Sequence, residues 1–459
     1  MKYSKSIKNY FFYLTIFLLI IIKIQSNSYK DSLEIVAQFN VISFKTDTGI
    51  KECRKCMPAG IKLSKNGTIF CSFPRWFDDV TATIAKYNKE QKYFEPWPSL
   101  EINQRHEKSD PSGINSVLGF EIDDEDNIYI LDQGKVNNSV ALEGSIKLLK
   151  YSLNDSSFLK EYKFNSEIAD LKSSFLNDVV IDKNKNLAYI SDSGISIDGN
   201  ITHYKPGIIV LNLNTSISHR ILTSHFSVFP DESFWLHIDN KPVNEEKQML
   251  TGADGIALSC DGEALFYCPL TGRMIYSILT SDIENFINEG KDINVYHAFK
   301  KEASDGLLAS SKGNLYMTGI ETGSIYISYE VEQDLLRFDY KDFDGYIGNV
   351  SSMWPDTLAM YDGYLYFVTN QLNNFPHNID YINPKNGKYN FAIMRFSVGN
   401  DDSYIKGCSG FGGNWGVGSI IIWICFAVII LIVLSFVLMG SNNQEEVIDK
   451  HMNLGIKDD

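Results

Sequence analysis

Six segments of the chain share one layout: a short apolar strand, a turn rich in Asp, Asn, Gly or Lys, and a second strand carrying an aromatic residue. They begin at Gly60, Gly119, Asn177, Asp254, Asp305 and Thr357. Their starts recur about every 50 to 80 residues, near the period of a propeller blade once loops are allowed for. This repetition restricts the fold more than any other feature, because each unit can bury its apolar faces only against its neighbours.

The turn of each segment predicts a β-hairpin, because pairs such as Asp126-Asn127 and Asp261-Gly262 tolerate the positive φ of tight turns. Another strand-like run follows each hairpin, and runs from His219 and Ile293 supply fourth strands. The sequence therefore predicts an all-β fold, a six-bladed β-propeller with four antiparallel strands per blade.

An early strand, Leu33 to Phe44, has no local partner. We expect it to complete the last blade beside Phe391 to Val398 and so close the ring. A doubly wound α/β fold is the competing class, but it needs amphipathic helices between the strands, and only Ser281 to Gly290 has a helical pattern. The propeller is predicted to span residues 33–403.

Both ends of the chain carry export or membrane signals. Residues 1–26 place three lysines ahead of a short apolar run, which predicts a signal peptide, with an uncleaved anchor helix as the alternative. Residues 404–418 are predicted to be a Gly-rich linker, 419–439 a transmembrane helix and 440–459 a cytoplasmic tail. The expected product is a type I protein of the cell surface or of a secretory-pathway membrane, which cleavage in the linker would shed.

Glycosylation and cysteine patterns agree with an extracellular body. Asn-x-Ser/Thr triplets occur at Asn66, Asn137, Asn154, Asn200, Asn214 and Asn349. Six cysteines lie outside the apolar ends, and in an oxidising compartment such an even set favours structural disulfides of undetermined pairing. The Cys53-x-x-Cys56 pair has no second pair to complete a zinc site.

Charge and motif content exclude several functions. The net charge of −15 argues against nucleic acid as a partner, because phosphate binding needs clustered Lys and Arg. No Gly-x-Ser-x-Gly elbow is present, and the histidines lack the spacing of a catalytic partner, so nothing supports nucleophilic catalysis.

The candidate site lies where inner strands of different blades begin, around one mouth of the central channel. The residues at the beginnings of these strands are Asn177, Asp178, Asp254, Asp305 and Asp356. Carboxylate and amide oxygens around an axis suit Ca²⁺ or another divalent cation, with Asn177, Asp254 and Asp305 as metal ligands. The alternative is that each Asp only holds its turn through backbone hydrogen bonds.

Aromatic residues near the same level would form the wall of a pocket. Trp76, Phe120, Tyr267 and Trp354 could hold a flat small molecule, and a cationic one would be bound by ring faces and carboxylates together. Packing between blades is the alternative role for the same rings.

The segments "VLGFEIDDEDNIYILDQG", "LNDVVIDKNKNLAYISDSG" and "TGADGIALSCDGEALFYCPLTGRMIYSI" resemble the yellow and major royal jelly protein family. The resemblance runs from Leu33 to about Phe396 and implies a six-bladed propeller. It also implies a secreted glycoprotein, some relatives being associated with dopachrome conversion and others with binding biogenic amines.

A more distant resemblance is to the regucalcin and gluconolactonase propellers. It places Asn177, Asp254 and Asp305 at positions that hold metal and substrate there. The Glu that those proteins supply from the first blade has no counterpart, because the strand here begins "MPAGIKLS". A lactonase-type metal site would therefore lack one charged ligand.

Three functions follow from this reading. The first is a membrane-tethered extracellular propeller that binds a small aromatic or amine ligand, or a protein partner, at its channel. The second is an enzyme of the dopachrome-converting or metal-dependent lactonase type that uses the same Asp and Asn residues. The third is an adhesion or coat component that needs no pocket.

Overall fold

The computed structural model shows antiparallel sheets arranged around one axis, as the sequence predicts. It describes residues 33–77, 79–105, 110–137, 139–195, 205–238, 240–243, 245–246, 248–328, 345–349, 354–374 and 389–409. Six sheets of four or more strands are present in this part of the chain, and their first strands contact one another in sequence around the channel. The predicted six-bladed propeller is confirmed.

The first three blades run from the channel outward in chain order. Blade 1 consists of β4 (Ile61–Leu63), β5 (Ile69–Ser72), β6 (Ile84–Asn88) and β7 (Tyr93–Pro96), extended outward by β2 (Ile42–Thr46) and β3 (Gly49–Cys53). Blade 2 consists of β8 (Val117–Ile122), β9 (Asn127–Asp132), β10 (Lys147–Ser152) and β11 (Phe158–Lys163). Blade 3 consists of β12 (Leu176–Asp182), β13 (Leu187–Asp192), β14 (Gly207–Asn212) and β15 (Ser218–Ile221).

The other three blades follow after a small hairpin. This hairpin pairs β16 (His237–Ile238) with β17 (Lys241–Pro242). Blade 4 consists of β18 (Ala253–Leu258), β19 (Ala264–Pro269), β20 (Met274–Leu279) and β21 (Tyr296–Lys300). Blade 5 consists of β22 (Leu307–Ala309), β23 (Leu315–Gly319), β24 (Ser324–Ser328) and β25 (Gly345–Asn349). Blade 6 consists of β26 (Trp354–Tyr361), β27 (Tyr364–Asn370), β28 (Phe391–Ser397) and β1 (Glu34–Phe39).

Short helices occur in the connections of the fold. In the described part of the chain the α-helices are α1 (Leu100–Gln104) and α2 (Thr280–Glu289), and 3₁₀ turns occur at Phe226–Val228, Leu372–Asn374 and Tyr404–Lys406. Helix α2 confirms the helical pattern seen in the sequence, and it ends at Gly290, whose φ of 70° is accessible to glycine. The hairpin turns also form as predicted: Asp126 has φ 60° and Gly262 has φ 76°.

Ring closure is confirmed for only the first half of the predicted N-terminal strand. Strand β1 pairs antiparallel with β28, with Phe39 opposite Phe391. The prediction that the same strand continues to Phe44 is wrong. The chain turns after Phe39, and β2 joins blade 1, where Phe44 is fully buried with its ring 5.1 Å from that of Phe73. Burial of Phe44 in this aromatic cluster stabilises the turn of the chain into blade 1.

The chain after the last blade is not a free linker. Residues 401–408, here called the C-terminal strap, run across the face of the propeller where the inner strands end. Asp401 accepts hydrogen bonds from Asn314 at 2.8 Å and Tyr316 at 3.1 Å, Ser403 forms a bridge to Ser310, and Tyr404 is buried. The compact unit therefore extends to Cys408, beyond the boundary predicted at residue 403.

Four of the six cysteines that lie outside the apolar ends form disulfides. Cys53 pairs with Cys56, and Cys260 of blade 4 pairs with Cys408 of the strap. Cys71 and Cys268 are buried thiols, so disulfides do not use the whole set. These two thiols cannot form a disulfide with each other because they lie in the hydrophobic clusters of different blades.

The predicted end segments lie outside the described residues. These are the signal peptide (1–26), most of the linker, the transmembrane helix (419–439) and the tail (440–459). Among the helices that the structure describes, none is long and apolar enough to cross a membrane. Of the predicted glycosylation sites, Asn200 also lies outside, whereas Asn66, Asn137, Asn154 and Asn214 are exposed and Asn349 ends β25.

The disulfide of the strap should stabilise the protein far more than the local one. Cys260 and Cys408 are 148 residues apart, and the other pair is 3 residues apart. Because a longer cross-linked loop restricts the unfolded chain more, replacing both Cys260 and Cys408 by Ser should lower the free energy of unfolding by about 2–4 kcal/mol. Chemical denaturation of the full-length chain measures this, and the Cys53→Ser, Cys56→Ser double variant is the matched control. Equal losses in the two variants would contradict the expectation.

Candidate functional site

The inner strands bring five polar residues together where they begin. These residues, here called the acidic mouth, are Asn177, Asp178, Asp254, Asp305 and Asp356. Three of the strands, β12, β18 and β26, are irregular at this level: their pairing registers shift between Leu176 and Val179, Ala253 and Ile256, and Pro355 and Leu358. A bulge of this kind re-aims side chains, and here the bulges fall on Asn177-Asp178, Asp254-Gly255 and Asp356-Thr357.

The glycine of each Asp-Gly pair allows the next blade to approach. A Cβ on Gly255 would lie 2.8 Å from the carbonyl oxygen of Asp305, and one on Gly306 would lie 2.5 Å from that of Asp356. Both distances are too short for a side chain, and the neighbouring atoms are backbone. In each pair the aspartate therefore carries the carboxyl group, and the glycine permits the contact between blades.

Hydrogen bonds fix the carboxyl groups around the axis. Asn177 donates from Nδ2 to Asp254 Oδ2 at 2.5 Å, and the indole of Trp354 donates to Asp305 Oδ2 at 2.5 Å. Asp356 accepts from Asn370 at 2.8 Å. Asn177 and Asp254 are thus joined by a hydrogen bond, and the charge of Asp305 acts on Asp254.

One oxygen in this group has no partner. Asp254 is 1% exposed, and its Oδ1 makes no hydrogen bond to any residue that the structure describes. A buried carboxylate oxygen left unpaired is costly, because it has lost water without gaining a donor. A proton on the neighbouring carboxyl or a bound cation would each satisfy it.

The carboxyl groups repel one another in a buried site. Burial, together with the charge of Asp305, raises the pKa of Asp254 well above its ordinary value. Burial and the same charge raise the pKa of Asp356 well above its usual range, and burial raises the pKa of Asp305 although the hydrogen bond donated by Trp354 opposes the shift. The site is therefore short of positive charge, and protons or cations are favoured there.

Asp178 connects the acidic mouth to a second polar group deeper in the channel. Burial raises its pKa to about 6, with the Lys62 ammonium opposing the shift. Lys62 forms a buried salt bridge of 3.0 Å with Glu121, and the Tyr404 hydroxyl donates to Glu121 at 3.3 Å. Backbone N–H of Ile181 in turn donates to the Tyr404 hydroxyl at 3.0 Å.

The predicted aromatic wall forms only in part. Trp354 is fully buried and bonds Asp305, so it belongs to the site. Phe120 lies in the hydrophobic cluster that contains Phe70, which is the packing role given above as the alternative. Tyr267 is fully buried with its hydroxyl 2.7 Å from that of Ser227, and Trp76 is half-buried against the cluster of blade 1.

Sequence reasoning missed four contributors: Lys62, Glu121, Asn370 and Tyr404. A signal for two of them was present, because Lys62 and Glu121 are charged residues inside the otherwise apolar strands "GIKL" and "GFEI". Asn370 is the last residue of the apolar strand β27 and belongs to no recognisable motif. Within the described residues, no group of three or more His, Cys, Asp or Glu side chains has the arrangement to hold a metal ion.

Fold and site together define a propeller with a buried acidic cluster at one channel mouth. The sequence model of the major royal jelly protein family matches residues 115–404. The chain belongs to this family, which includes the yellow proteins.

Relatives in this family are similar over part of their length. Major royal jelly protein 3 of Apis mellifera is 24% identical over 317 residues, which are 64% of this chain and 54% of that protein. Dopaminechrome tautomerase of Drosophila melanogaster is 23% identical over 219 residues, 44% of this chain and 45% of that protein. The chain spans about half the length of the curated relatives it matches.

Solved structures with a similar arrangement are more distant. A gluconolactonase of Xanthomonas campestris matches with a TM-score of 0.46 and 9% identity, covering 80% of this chain and 89% of that one. A luciferin-regenerating enzyme matches with a TM-score of 0.47 and 11% identity, covering 81% and 96%.

The stability of the protein should fall as the pH rises through the range in which Asp178 ionises. Its folded pKa of about 6 lies above the ordinary 3.8, so the folded state holds the proton more tightly than the unfolded state. The resulting stabilisation is complete below about pH 4, is lost as the pH rises through 6, and amounts to something on the order of 3 kcal/mol. Replacing Asp178 by Asn should flatten this slope between pH 4.5 and 7.5 in denaturation curves.

The exposed turn residue Asp261 provides the control, and its replacement by Asn should leave the slope as it is in the unchanged protein. Asp254, Asp305 and Asp356 contribute with the same sign, so the slope of the Asp178 variant should be smaller but not zero. An identical slope in the Asp178→Asn variant and the unchanged protein would refute the assignment.

Proposed function

We propose that the protein is an extracellular, membrane-tethered binding protein whose acidic mouth takes a small organic cation. The unpaired Oδ1 of buried Asp254 carries the proposal, because an ammonium group there would supply the missing donor and the missing positive charge at once. Asp305 and Asp356 bring carboxyl groups from the next two blades, and because burial raises the pKa of each, a cation bound there would stabilise their ionised forms.

An aromatic amine fits this environment better than a simple ammonium ion. The Trp354 indole lies in the site and binds Asp305, so a flat apolar group beside the ammonium would have a ring to pack against. Asn177 and Asn370 hold the carboxyl groups in place, which means that the charge is oriented before a ligand arrives.

The extracellular location rests on the end segments and the glycosylation sites. A signal peptide at 1–26 and a transmembrane helix at 419–439 would place the propeller outside the cell in a type I arrangement. Asn66, Asn137, Asn154 and Asn214 are exposed, so an N-glycan could be attached to each without disturbing the core.

Two ligands that differ only in charge test the proposal. Phenethylamine should bind the full-length protein in calorimetry, and 2-phenylethanol, which has a neutral hydroxyl in place of the ammonium, should bind at least about tenfold more weakly. Asp254→Asn should reduce phenethylamine affinity by a similar factor, because it removes the charge and keeps the hydrogen bond to Asn177.

The Asp261→Asn variant is again the control and should bind phenethylamine as the unchanged protein does. Equal affinity for the amine and the alcohol would disprove a cation site. Heat from CaCl₂ that depends on Asp254 and competes with the amine would show that a divalent cation, bound by Asn177, Asp254 and Asp305, is the occupant instead.

A second candidate function is tautomerase activity, favoured by the relative named dopaminechrome tautomerase. Tautomerisation moves a proton between two positions of one molecule, which requires a group that gains and loses a proton near neutral pH. Asp178, with a pKa of about 6, is such a group. Turnover of dopaminechrome, followed by the loss of its visible absorbance, should then disappear in the Asp178→Asn variant; no turnover by the unchanged protein leaves binding as the function.

A further inference from the structure

The channel holds a separate cavity on the side of the strap, below the acidic mouth. Its volume is about 140 Å³, and all six inner strands and the strap contribute to its walls. Most of the wall is apolar. The main apolar side chains are Val180, Ile256, Leu308, Ala309, Ala359 and Met360.

The polar end of this cavity is the Lys62–Glu121 pair. Both side chains are about nine-tenths buried or more, and the salt bridge of 3.0 Å makes the pair neutral overall. An ammonium group has three donors. Among the described residues, Glu121 is the one hydrogen-bond acceptor found for the Lys62 ammonium, so donor capacity remains toward the cavity.

The strap forms the floor. Tyr404 and Ile405 line the cavity, and the Tyr404 hydroxyl binds both Glu121 and the backbone of Ile181. The Cys260–Cys408 disulfide holds this segment against blade 4. Exposed Lys65 and Lys406 stand at the rim, so the cavity reaches solvent on this side.

Size and charge limit the occupant. An apolar protein cavity of about 150 Å³ holds one benzene ring, so a single ring fits here and two fused rings do not. A charged group bound deep in the cavity would be left without a counter-charge, because Lys62 and Glu121 already neutralise each other and Lys65 and Lys406 lie at the rim. An oxygen acceptor on the ring would meet the remaining donors of Lys62.

We propose that this cavity is a second ligand site, distinct from the acidic mouth, that takes a neutral molecule with one ring and one hydroxyl or carbonyl oxygen. The ring packs against the apolar wall, and the oxygen accepts a hydrogen bond from Lys62. The acidic mouth would bind positively charged ligands, whereas this cavity would exclude charged ligands and those larger than one ring.

Fluorine NMR of 4-fluorophenol with the full-length protein tests the site. The resonance should shift and broaden in a saturable manner, and unlabelled phenol should compete while 1-naphthol does not. Ala309→Leu fills the cavity from the inner strand of blade 5 and should weaken 4-fluorophenol binding at least tenfold. Ala298→Leu, in the outer strand of the neighbouring blade 4 and away from the channel, is the matched control and should bind normally.

The result that overturns the site is unchanged binding in folded Ala309→Leu protein, or displacement by 1-naphthol as effective as that by phenol. The naphthol comparison uses the unchanged protein, so it decides the matter even if the variant does not fold. Phenethylamine binding at the acidic mouth should be the same in Ala309→Leu as in the unchanged protein. Loss of amine binding alone would therefore count against the proposed function and not against this cavity.

Discussion

The close approach of neighbouring inner strands is the constraint on which the rest of the structure depends. At Gly255 and Gly306 the backbone of the next blade lies where a Cβ would be, at 2.8 and 2.5 Å. Any side chain there would force the blades apart. The contact that closes the ring is therefore also the contact that brings Asp254, Asp305 and Asp356 within electrostatic reach of one another.

The same tight packing gives the channel two electrostatic levels. At the acidic mouth it buries several carboxyl groups and, among the described residues, places no cationic side chain within salt-bridge distance of Asp254, although the buried Lys301 ammonium attracts Asp254 from farther away. Deeper in the channel, Lys62 and Glu121 neutralise each other, and apolar residues form the wall. If both proposed sites bind ligands, a single channel would discriminate between them by charge at one level and by size at the other.

Local patterns predicted the blades because each hairpin is encoded within about twenty residues, by alternation and by turn residues such as Asp126 and Gly262. The β1 closure was also predictable, because a strand without a local partner must pair elsewhere. The interruption of the strand before Phe44 could not be predicted, since it depends on the packing of Phe44 against Phe73 of blade 1. The strap was missed for a similar reason: Tyr404 contacts Glu121 and Ile181, which are hundreds of residues away in the chain.

The first blade explains why the negative charge lies to one side of the axis. A Cβ on Gly60 would be 2.6 Å from the carbonyl oxygen of Leu118, so the start of this inner strand has no room for an acidic side chain. At that level blade 1 contributes the Pro58 carbonyl, which accepts a hydrogen bond from Asn370 at 3.0 Å. The carboxyl groups come from blades 3 to 6 instead. A cation would therefore lie nearer Asp254 and Asp305 than the centre of the channel, on the side where Trp354 provides a ring.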